Sequence, residues 1–165
     1  GMANQKSQRI QEILSDIHER YGKYDLSALR RKSNEHVMKD LTTLKGVGPK
    51  TASCVLLFSL GRDMFPVDTH VHRICNRLGL AENAKTPEKT FEFMRLLVPP
   101  GRGYSFHTNL IRFGRRVCRS TNPACDICPL FDKCVYKRKK RKLGERRAQS
   151  SADHDFMLLD NVRGA

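Results

Sequence analysis

The sequence contains no tryptophan, and aromatic residues make up only 7% of its 165 residues. It also has no apolar run of about 18 residues, the length at which a segment becomes a candidate membrane span. The first residues do not show the basic segment followed by an apolar stretch that is typical of a secretory signal peptide. We therefore expect no membrane partner and a cytoplasmic location.

Acidic residues are scarce, with 17 against 31 lysines and arginines, which gives a formal net charge of +14. A basic excess of this size favours a polyanionic partner, and nucleic acid is the obvious class. Part of the excess lies in the run 137-KRKKRKLGERR-147, which is either solvated charge or a nucleic-acid contact. From Lys137 onward the chain becomes basic and then polar, so we expect residues 137–165 to be mostly disordered.

Alternation of polar and apolar residues at the strand period is also missing, whereas apolar residues recur at helical spacing. The sequence therefore predicts an all-α fold. Four residues have the side chains and positions of helix N-caps, namely Asp25, Ser33, Asp68 and Thr86. The predicted helices cover residues 3–20, 26–32, 34–43, 49–60, 69 to about 79, 87–97 and 104–117.

Six cysteines are present, and four of them follow the spacing C-x6-C-x2-C-x5-C near the end of the folded part. Four thiolates that converge in a loop suit either a tetrahedral zinc ion or a [4Fe–4S] cluster, and the spacing alone does not choose between them. Disulfides are disfavoured because no signal peptide indicates export. The cluster candidates are Cys118, Cys125, Cys128 and Cys134, whereas Cys54 and Cys75 are predicted to pack as small hydrophobic residues.

The segment 44-LKGVGPKTASCVLL-57 joins two predicted helices through two glycines. Backbone N–H groups at such a turn and at the following helix start can bind a phosphate, although a plain helix–helix turn explains the glycines equally well. Lys50 follows at the helix start and is either a solvated lysine or an amine nucleophile. A helix N-terminus and a cationic groove both disfavour the ammonium form, which favours the nucleophilic free amine.

Asp68 opens the next predicted helix in 66-PVDTHVHR-73. An aspartate at this position is commonly an N-cap and nothing more. It could also act as a base or stabilise a developing sugar cation, because the cap position favours the ionised carboxylate. His70 and His72 follow on the same helix, and we expect structural roles for both.

Taken in order, these motifs resemble the endonuclease III family, the iron–sulfur branch of the helix–hairpin–helix DNA glycosylases. The resemblance is carried by L-x-G-V-G-x-K-T-A, then V-D-T-H-V-x-R, then the four cysteines, and it extends from about Gly1 to Tyr136. It implies the helix–hairpin–helix glycosylase fold with a C-terminal iron–sulfur loop. The implied divisions are a partial helical barrel over 1–102 containing the helix–hairpin–helix at 35–60, the last helix and cluster loop over 103–136, and the tail 137–165.

The resemblance also implies roles for individual residues. It implies a [4Fe–4S] cluster on the four cysteines, Lys50 as the Schiff-base nucleophile and Asp68 as the catalytic aspartate. The implied substrate is double-stranded DNA with an oxidised pyrimidine or an abasic site, bound by a monomer, with nucleoid association if the source is prokaryotic. The implied DNA contacts are Lys45, Gly46, Val47, Gly48, Lys50 and Thr51.

Two features depart from the family pattern. Lys45 stands where the family usually has proline, a surface change that adds a possible phosphate contact. Gly1 matches an internal family segment, so we expect the chain to be the C-terminal portion of a glycosylase, with a fold incomplete at the N-terminus and weak activity. The alternatives are an adenine-mismatch glycosylase, which normally lacks the lysine, a plant-type 5-methylcytosine glycosylase, or a non-catalytic DNA-binding fragment.

Overall fold

The computed structural model describes residues 3–140. All regular structure within this range is helical and none of these residues lies in a strand, which confirms the all-α prediction. The chain divides into two compact units, Gly1–Met64 and Phe65–Ala165. The α-helices of the described range are α1 (Ala3–Tyr21), α2 (Asn34–Thr42), α3 (Pro49–Cys54), α4 (Thr69–Arg77), α5 (Pro87–Leu97) and α6 (Gly103–Arg116).

The first unit is built around an apolar core to which α1, α2 and α3 all contribute. Ser33 starts α2 as its sequence position predicted, because its hydroxyl oxygen accepts a hydrogen bond from the His36 N–H at 3.2 Å. Capping of this kind satisfies an N–H that has no partner within the helix. The buried core residues are Ile17, Leu29, Val37, Leu41, Leu44, Val47, Ala52 and Leu56.

The helix predicted over residues 26–32 is a short 3-10 helix, Ser27–Arg31, and the prediction of Asp25 as its N-cap is wrong. Leu26 occupies the cap position. Asp25 Oδ1 instead accepts the N–H of Ser27 at 2.8 Å, a local turn that aspartate side chains commonly make. The hydrogen bond from the Ser27 hydroxyl, together with this bond from its N–H, lowers the pKa of Asp25 to about 2.

The helix predicted from Pro49 to Leu60 changes its winding part-way. After α3 the chain continues as a π-helical turn, Val55–Ser59, in which the N–H of Leu60 reaches back to Val55 O at 3.0 Å. Gly61 then adopts a φ of 66°, and the Arg62 N–H closes the end on Leu56 O at 2.9 Å. The predicted role of Gly61 as the residue that ends this helix is therefore confirmed.

The second unit has its own core, formed between α4, α5 and α6. Asp68 and Thr86 cap α4 and α5 as predicted, by accepting the N–H groups of Val71 and Lys89. Most of the core side chains are aliphatic or aromatic. Three partly buried residues of the segment 118–136, which carries the four clustered cysteines and is called the cysteine segment below, pack against them, namely Cys118, Cys128 and Leu130. The buried core residues are Phe65, Val67, Val71, Ile74, Cys75, Ala81, Ala84, Met94, Leu110 and Phe113.

Residues 141–165, and with them most of the tail predicted to be disordered, lie outside the described residues. The domain division predicted from the sequence stays a prediction. Among the helices of residues 3–140, none has both the length and the apolar character that a membrane crossing requires.

Candidate functional site

The connection between α2 and α3 is a tight β-turn. The N–H of Val47 donates to Leu44 O at 3.0 Å, and Gly46 has a φ of 86°. Glycine at this position with this sign of φ is the signature of a type II turn, in which Lys45 takes the position that commonly suits proline. The Arg9 side chain of α1 lies against the turn, because a Cβ added to Gly46 would come within 2.6 Å of Arg9 Cδ.

The turn and the start of α3 present an exposed surface, which we call the hairpin surface. Gly48 is the N-cap of α3 in extended conformation and Pro49 is its first residue. The N–H groups of the first helical turn have no acceptor within the helix, so they are available to an anion. The hairpin surface consists of Lys45, Gly46, Gly48, Lys50 and Thr51, all of which are exposed.

Val47 differs from the other residues that were predicted to contact DNA. Its side chain is buried in the core of the first unit, and its N–H is donated to Leu44. Val47 therefore anchors the turn to the core of the first unit. Of its own groups, only the backbone carbonyl remains for a contact with DNA.

Lys50 lies in the first turn of α3, in the first unit, with an exposed side chain. Pro49 stands immediately before it, at the helical position where proline's fixed φ and missing N–H cost nothing. The same short segment thus presents an amine and the free backbone donors of a helix start. This arrangement can hold a phosphate and present a primary amine beside it.

Asp68 belongs to the second unit, where it is half-buried at the start of α4. Its Oδ1 accepts the Val71 N–H at 2.8 Å, which leaves the second carboxylate oxygen to face other groups. Asp68 is therefore a structural cap that keeps one carboxylate oxygen available for another contact.

The two histidines that follow Asp68 have hydrogen-bond partners within the second unit, as expected of structural residues. His72 Nδ1 lies 2.7 Å from Thr90 Oγ1 on α5. His70 Nδ1 lies 3.0 Å from Arg73 Nη2. The His72 ring therefore ties α4 to α5, whereas the contact of His70 with Arg73 lies within α4.

The four clustered cysteines follow α6 closely, all are half-buried, and none is in a disulfide. Burial, first of all, raises the pKa of the Cys128 thiol, and the sulfurs of Cys118, Cys125 and Cys134 raise it further. Within residues 3–140, however, no three His, Cys, Asp or Glu side chains are already arranged as ligands of a metal ion. The donor set, four free thiols in one segment, fits an iron–sulfur cluster or zinc.

Two arginines on α4, Arg73 and Arg77, hold the cysteine segment, and sequence reasoning assigned neither of them a role. The Arg73 guanidinium donates to Cys118 O at 2.8 and 3.0 Å and to Gly114 O at 3.0 Å, which satisfies carbonyls at the end of α6. Such carbonyls have no partner within their own helix. Arg73 and Arg77 are four residues apart and therefore lie on one face of α4. This spacing was the only signal in the sequence that the two arginines act together.

Arg77 contacts the cysteine segment with both its side chain and its backbone. Its Nη1 lies 3.3 Å from Cys118 Sγ and 2.8 Å from Arg119 O, and its guanidinium stacks 4.2 Å from the centre of the Tyr136 ring. Its carbonyl oxygen accepts the N–H of Val135 at 2.8 Å and lies 3.2 Å from Cys134 Sγ. Arg77 therefore links the first and last of the four cysteines.

Cys75 is fully buried, and burial raises the pKa of its thiol to about 12. A thiol of this kind stays protonated and neither attacks substrates nor binds metal. This confirms the predicted packing role of Cys75, whereas Cys54 is only half-buried.

Comparison with known proteins adds to this geometry. The family model described as "HhH-GPD superfamily base excision DNA repair protein" matches residues 1–100. The chain belongs to this superfamily. Among curated relatives, it is 39% identical to the endonuclease III of Thermotoga maritima over 142 residues, 86% of this chain and 62% of the relative. It is 33% identical to DEMETER-like protein 3 of Arabidopsis thaliana, covering 79% of this chain but 14% of that protein.

Solved structures in the superfamily are also similar. A non-covalent endonuclease III–DNA complex matches with a TM-score of 0.65 and 29% identity, over 79% of this chain and 56% of that one. A trapped endonuclease III–DNA covalent intermediate matches with the same TM-score and identity, over 79% of this chain and 57% of that one. The chain thus spans less than two thirds of the length of these relatives.

Proposed function

We propose that the chain acts in base excision DNA repair as a bifunctional DNA glycosylase and abasic-site lyase. Its substrates would be oxidised pyrimidines and abasic sites in double-stranded DNA. The observation that carries this proposal is the exposed lysine, Lys50, in the first turn of the helix after the hairpin. Support comes from the similarity to an endonuclease III that has been trapped in a covalent intermediate with DNA.

In this proposal the hairpin surface binds the DNA backbone. The exposed glycines let a phosphate approach the main chain, and Lys45 and Lys50 supply positive charge. Contacts of this type carry no sequence information, but they fix the position of the protein along the duplex. The lesion itself would be taken out of the base stack before it reacts.

Lys50 is the proposed nucleophile. Its Nζ lone pair forms a bond to C1′ of the lesion's sugar, and the bond from C1′ to the base breaks with the base as leaving group. Loss of a proton from the nitrogen and opening of the sugar ring give an imine. Removal of a C2′ proton then allows β-elimination, which breaks the C3′–O bond and cuts the strand 3′ to the lesion. At an abasic site the base has already left, and the same imine forms at C1′ with loss of water.

Asp68 is the proposed partner of this amine. Its carboxylate is suited to accept the proton that the lysine loses, and to stabilise positive charge on the sugar as the base departs. The cap bond to Val71 holds one carboxylate oxygen in place, which limits the orientations of the other.

The four cysteines, Cys118, Cys125, Cys128 and Cys134, would hold a [4Fe–4S] cluster. When bound, the cluster supplies an iron–thiolate cross-link among the four sulfurs. The chain's own part is to keep the segment in shape, through Arg73, Arg77 and Lys139, whose Nζ donates to Cys134 O at 2.6 Å.

Reduction of the imine with borohydride tests the function, because it converts the imine into a stable covalent adduct with abasic-site DNA. We expect an adduct with the unaltered chain and none with Lys50→Ala. Lys45→Ala is the matched control, since it removes an exposed lysine of the same hairpin surface and is expected to form the adduct at saturating protein concentration.

An adduct that persists in Lys50→Ala would refute Lys50 as the nucleophile. DNA binding by the unaltered chain without any adduct would instead indicate a non-catalytic DNA-binding fragment. Release of adenine from mismatched DNA without strand cleavage would indicate the adenine-mismatch alternative.

A further inference from the structure

His107 is a buried polar residue of the second unit for which no role has been described above. It lies within α6, and only 2% of its surface is exposed. Its Nδ1 lies 2.7 Å from the carbonyl oxygen of Pro66. Because a carbonyl oxygen can only accept, the ring must carry a proton on Nδ1 and donate it to Pro66.

Pro66 belongs to the segment that leads directly into Asp68. Residues 62–68 have no regular secondary structure, so helix or sheet hydrogen bonds do not fix the peptide after Pro66. The side chains on either side are anchored by packing, with Phe65 4% and Val67 3% exposed. The Phe65 ring also meets the His107 ring edge-on, with centroids 6.4 Å apart. His107 thus contacts this segment through both a hydrogen bond and ring packing.

We propose that His107 is a positioning residue for Asp68, which rests on the proposed function of that carboxylate. The hydrogen bond from Nδ1 fixes the rotation of the peptide between Pro66 and Val67, two residues before Asp68. The cap bond from the Val71 N–H fixes the carboxylate from the other side, at 2.8 Å. Between them, the two bonds determine where the second carboxylate oxygen points. His107 itself touches neither DNA nor the reacting atoms in this proposal.

Simple packing would not require an imidazole at this position. A phenylalanine or leucine would fill the same space without a buried polar group that needs a partner, and an unpaired buried polar group is unfavourable. The hydrogen bond to a main-chain oxygen is the feature that distinguishes the histidine from those residues.

Two substitutions separate the hydrogen bond from the packing. His107→Phe keeps a ring against Phe65 and removes the donor. His107→Asn removes ring volume, but its side-chain Nδ2 can take the position of Nδ1 and donate to Pro66. If His107 only packs, the activity of His107→Phe should be reduced less than that of His107→Asn. If His107 positions Asp68, the activity of His107→Asn should be reduced less than that of His107→Phe.

The measurements are the single-turnover rate of borohydride trapping on abasic-site DNA, the dissociation constant for the same DNA, and amide hydrogen exchange at Val71, all on the full chain. For His107→Phe we expect a trapping rate at least about tenfold lower, an unchanged dissociation constant and faster exchange at Val71, since small displacements of reacting groups cost large factors in rate. His107→Asn should retain more activity and slower exchange than His107→Phe.

Trapping and Val71 exchange in His107→Phe equal to those of the unaltered chain would overturn the proposal. So would a larger loss in His107→Asn than in His107→Phe. If the unaltered chain forms no adduct, the proposed function fails. The exchange rates of the two variants then decide whether His107 holds the segment before Asp68, because exchange does not depend on catalysis.

Discussion

Asp68 combines two roles that can be separated at the level of single atoms. As an N-cap it needs only an oxygen that accepts the Val71 N–H, which an asparagine also provides. As the proposed proton acceptor it needs a negative charge, which an asparagine lacks. Substitutions of Asp68 can therefore separate its contribution to the stability of the fold from its contribution to the reaction.

We predict that Asp68→Asn and Asp68→Ala both lose most of the trapping activity but differ in stability. Asp68→Ala should lower the free energy of unfolding by about 1 kcal/mol through loss of the cap, whereas Asp68→Asn should change it little. Thermal unfolding and single-turnover trapping of the two variants check this. An Asp68→Asn variant with full activity would show that the charge is not required.

Gly114 is the residue of α6 at which the absence of a side chain matters. A Cβ added there would lie 2.9 Å from both Cβ and Nδ1 of His70, and 3.2 Å from Arg73 Nη2. The His70 Cβ is attached directly to the α4 backbone, so rotation of the side chain cannot move it away. The close approach of α4 and α6 therefore requires glycine at this position.

We predict that Gly114→Ala lowers the free energy of unfolding, because overpacking of this kind costs about 1–3 kcal/mol. The gain of roughly 1 kcal/mol that alanine brings to a helix interior offsets part of this cost, so the expected net loss is up to about 2 kcal/mol. Gly48→Ala is the control, because a Cβ there meets no atom within 4 Å and the φ of −91° suits any residue. Denaturant unfolding of both variants measures the difference, and equal stabilities would contradict the prediction.

At the scale of elements, α4 connects two features that are far apart in the sequence. Its first turn is capped by Asp68, and its last turn carries Arg77 against the cysteine segment. A rigid helix thus fixes the proposed catalytic carboxylate and the proposed cluster ligands within the same unit. The stability of the cysteine segment should depend on this helix.

We predict that Arg77→Leu destabilises the cysteine segment by about 1 kcal/mol, because it removes the side-chain hydrogen bonds to Cys118 Sγ, Arg119 O and Ser120 O. In the protein loaded with the proposed cluster, it should also speed the loss of iron to a chelator, which is measured by the decay of the cluster's visible absorbance. Arg95→Ala is the control, since Arg95 is an exposed arginine of α5 paired with Glu92. Equal rates of iron loss in the two variants would contradict the prediction. A colourless protein that binds zinc would exclude the iron–sulfur cluster.

Sequence reasoning predicted best the elements whose signals lie within a few residues along the chain. Ser33, Asp68 and Thr86 accept N–H groups three residues ahead, so side-chain chemistry and spacing suffice to find them. The π-helical turn was not predictable in this way, because nothing in the Val55–Ser59 sequence distinguishes an i−5 from an i−4 hydrogen bond. Arg73, Arg77 and His107 were missed because the partners of their side chains lie 41–45 residues away along the chain.

At the scale of the whole molecule, net charge is the dominant feature. The excess of 14 positive charges is spread over the folded part and the run 137–147. Lys139 is engaged in holding the cysteine segment, by bonds to Phe131 O and Cys134 O. The part of the basic run that can be removed without disturbing these bonds therefore begins after Lys140.

We predict that truncation after Lys140 weakens the salt dependence of DNA binding. If the tail contacts phosphates, each lost contact should reduce the slope of log K against log salt by about 0.9. The untruncated chain with Arg141, Lys142, Arg146 and Arg147 changed to glutamine should behave like the truncation. An unchanged slope in both would show that residues 141–165 do not contact DNA phosphates.

The contacts between α4 and the cysteine segment also have a consequence for synthesis on the ribosome. Arg77 O finds its partner at Cys134, 57 residues later in the chain. At bacterial or eukaryotic rates of translation, of the order of 5–20 residues per second, that interval is roughly 3–11 s. Throughout it, the end of α4 has emerged without the segment that covers it. The newly made chain thus exposes this helix to chaperones and proteases for seconds before its partner exists.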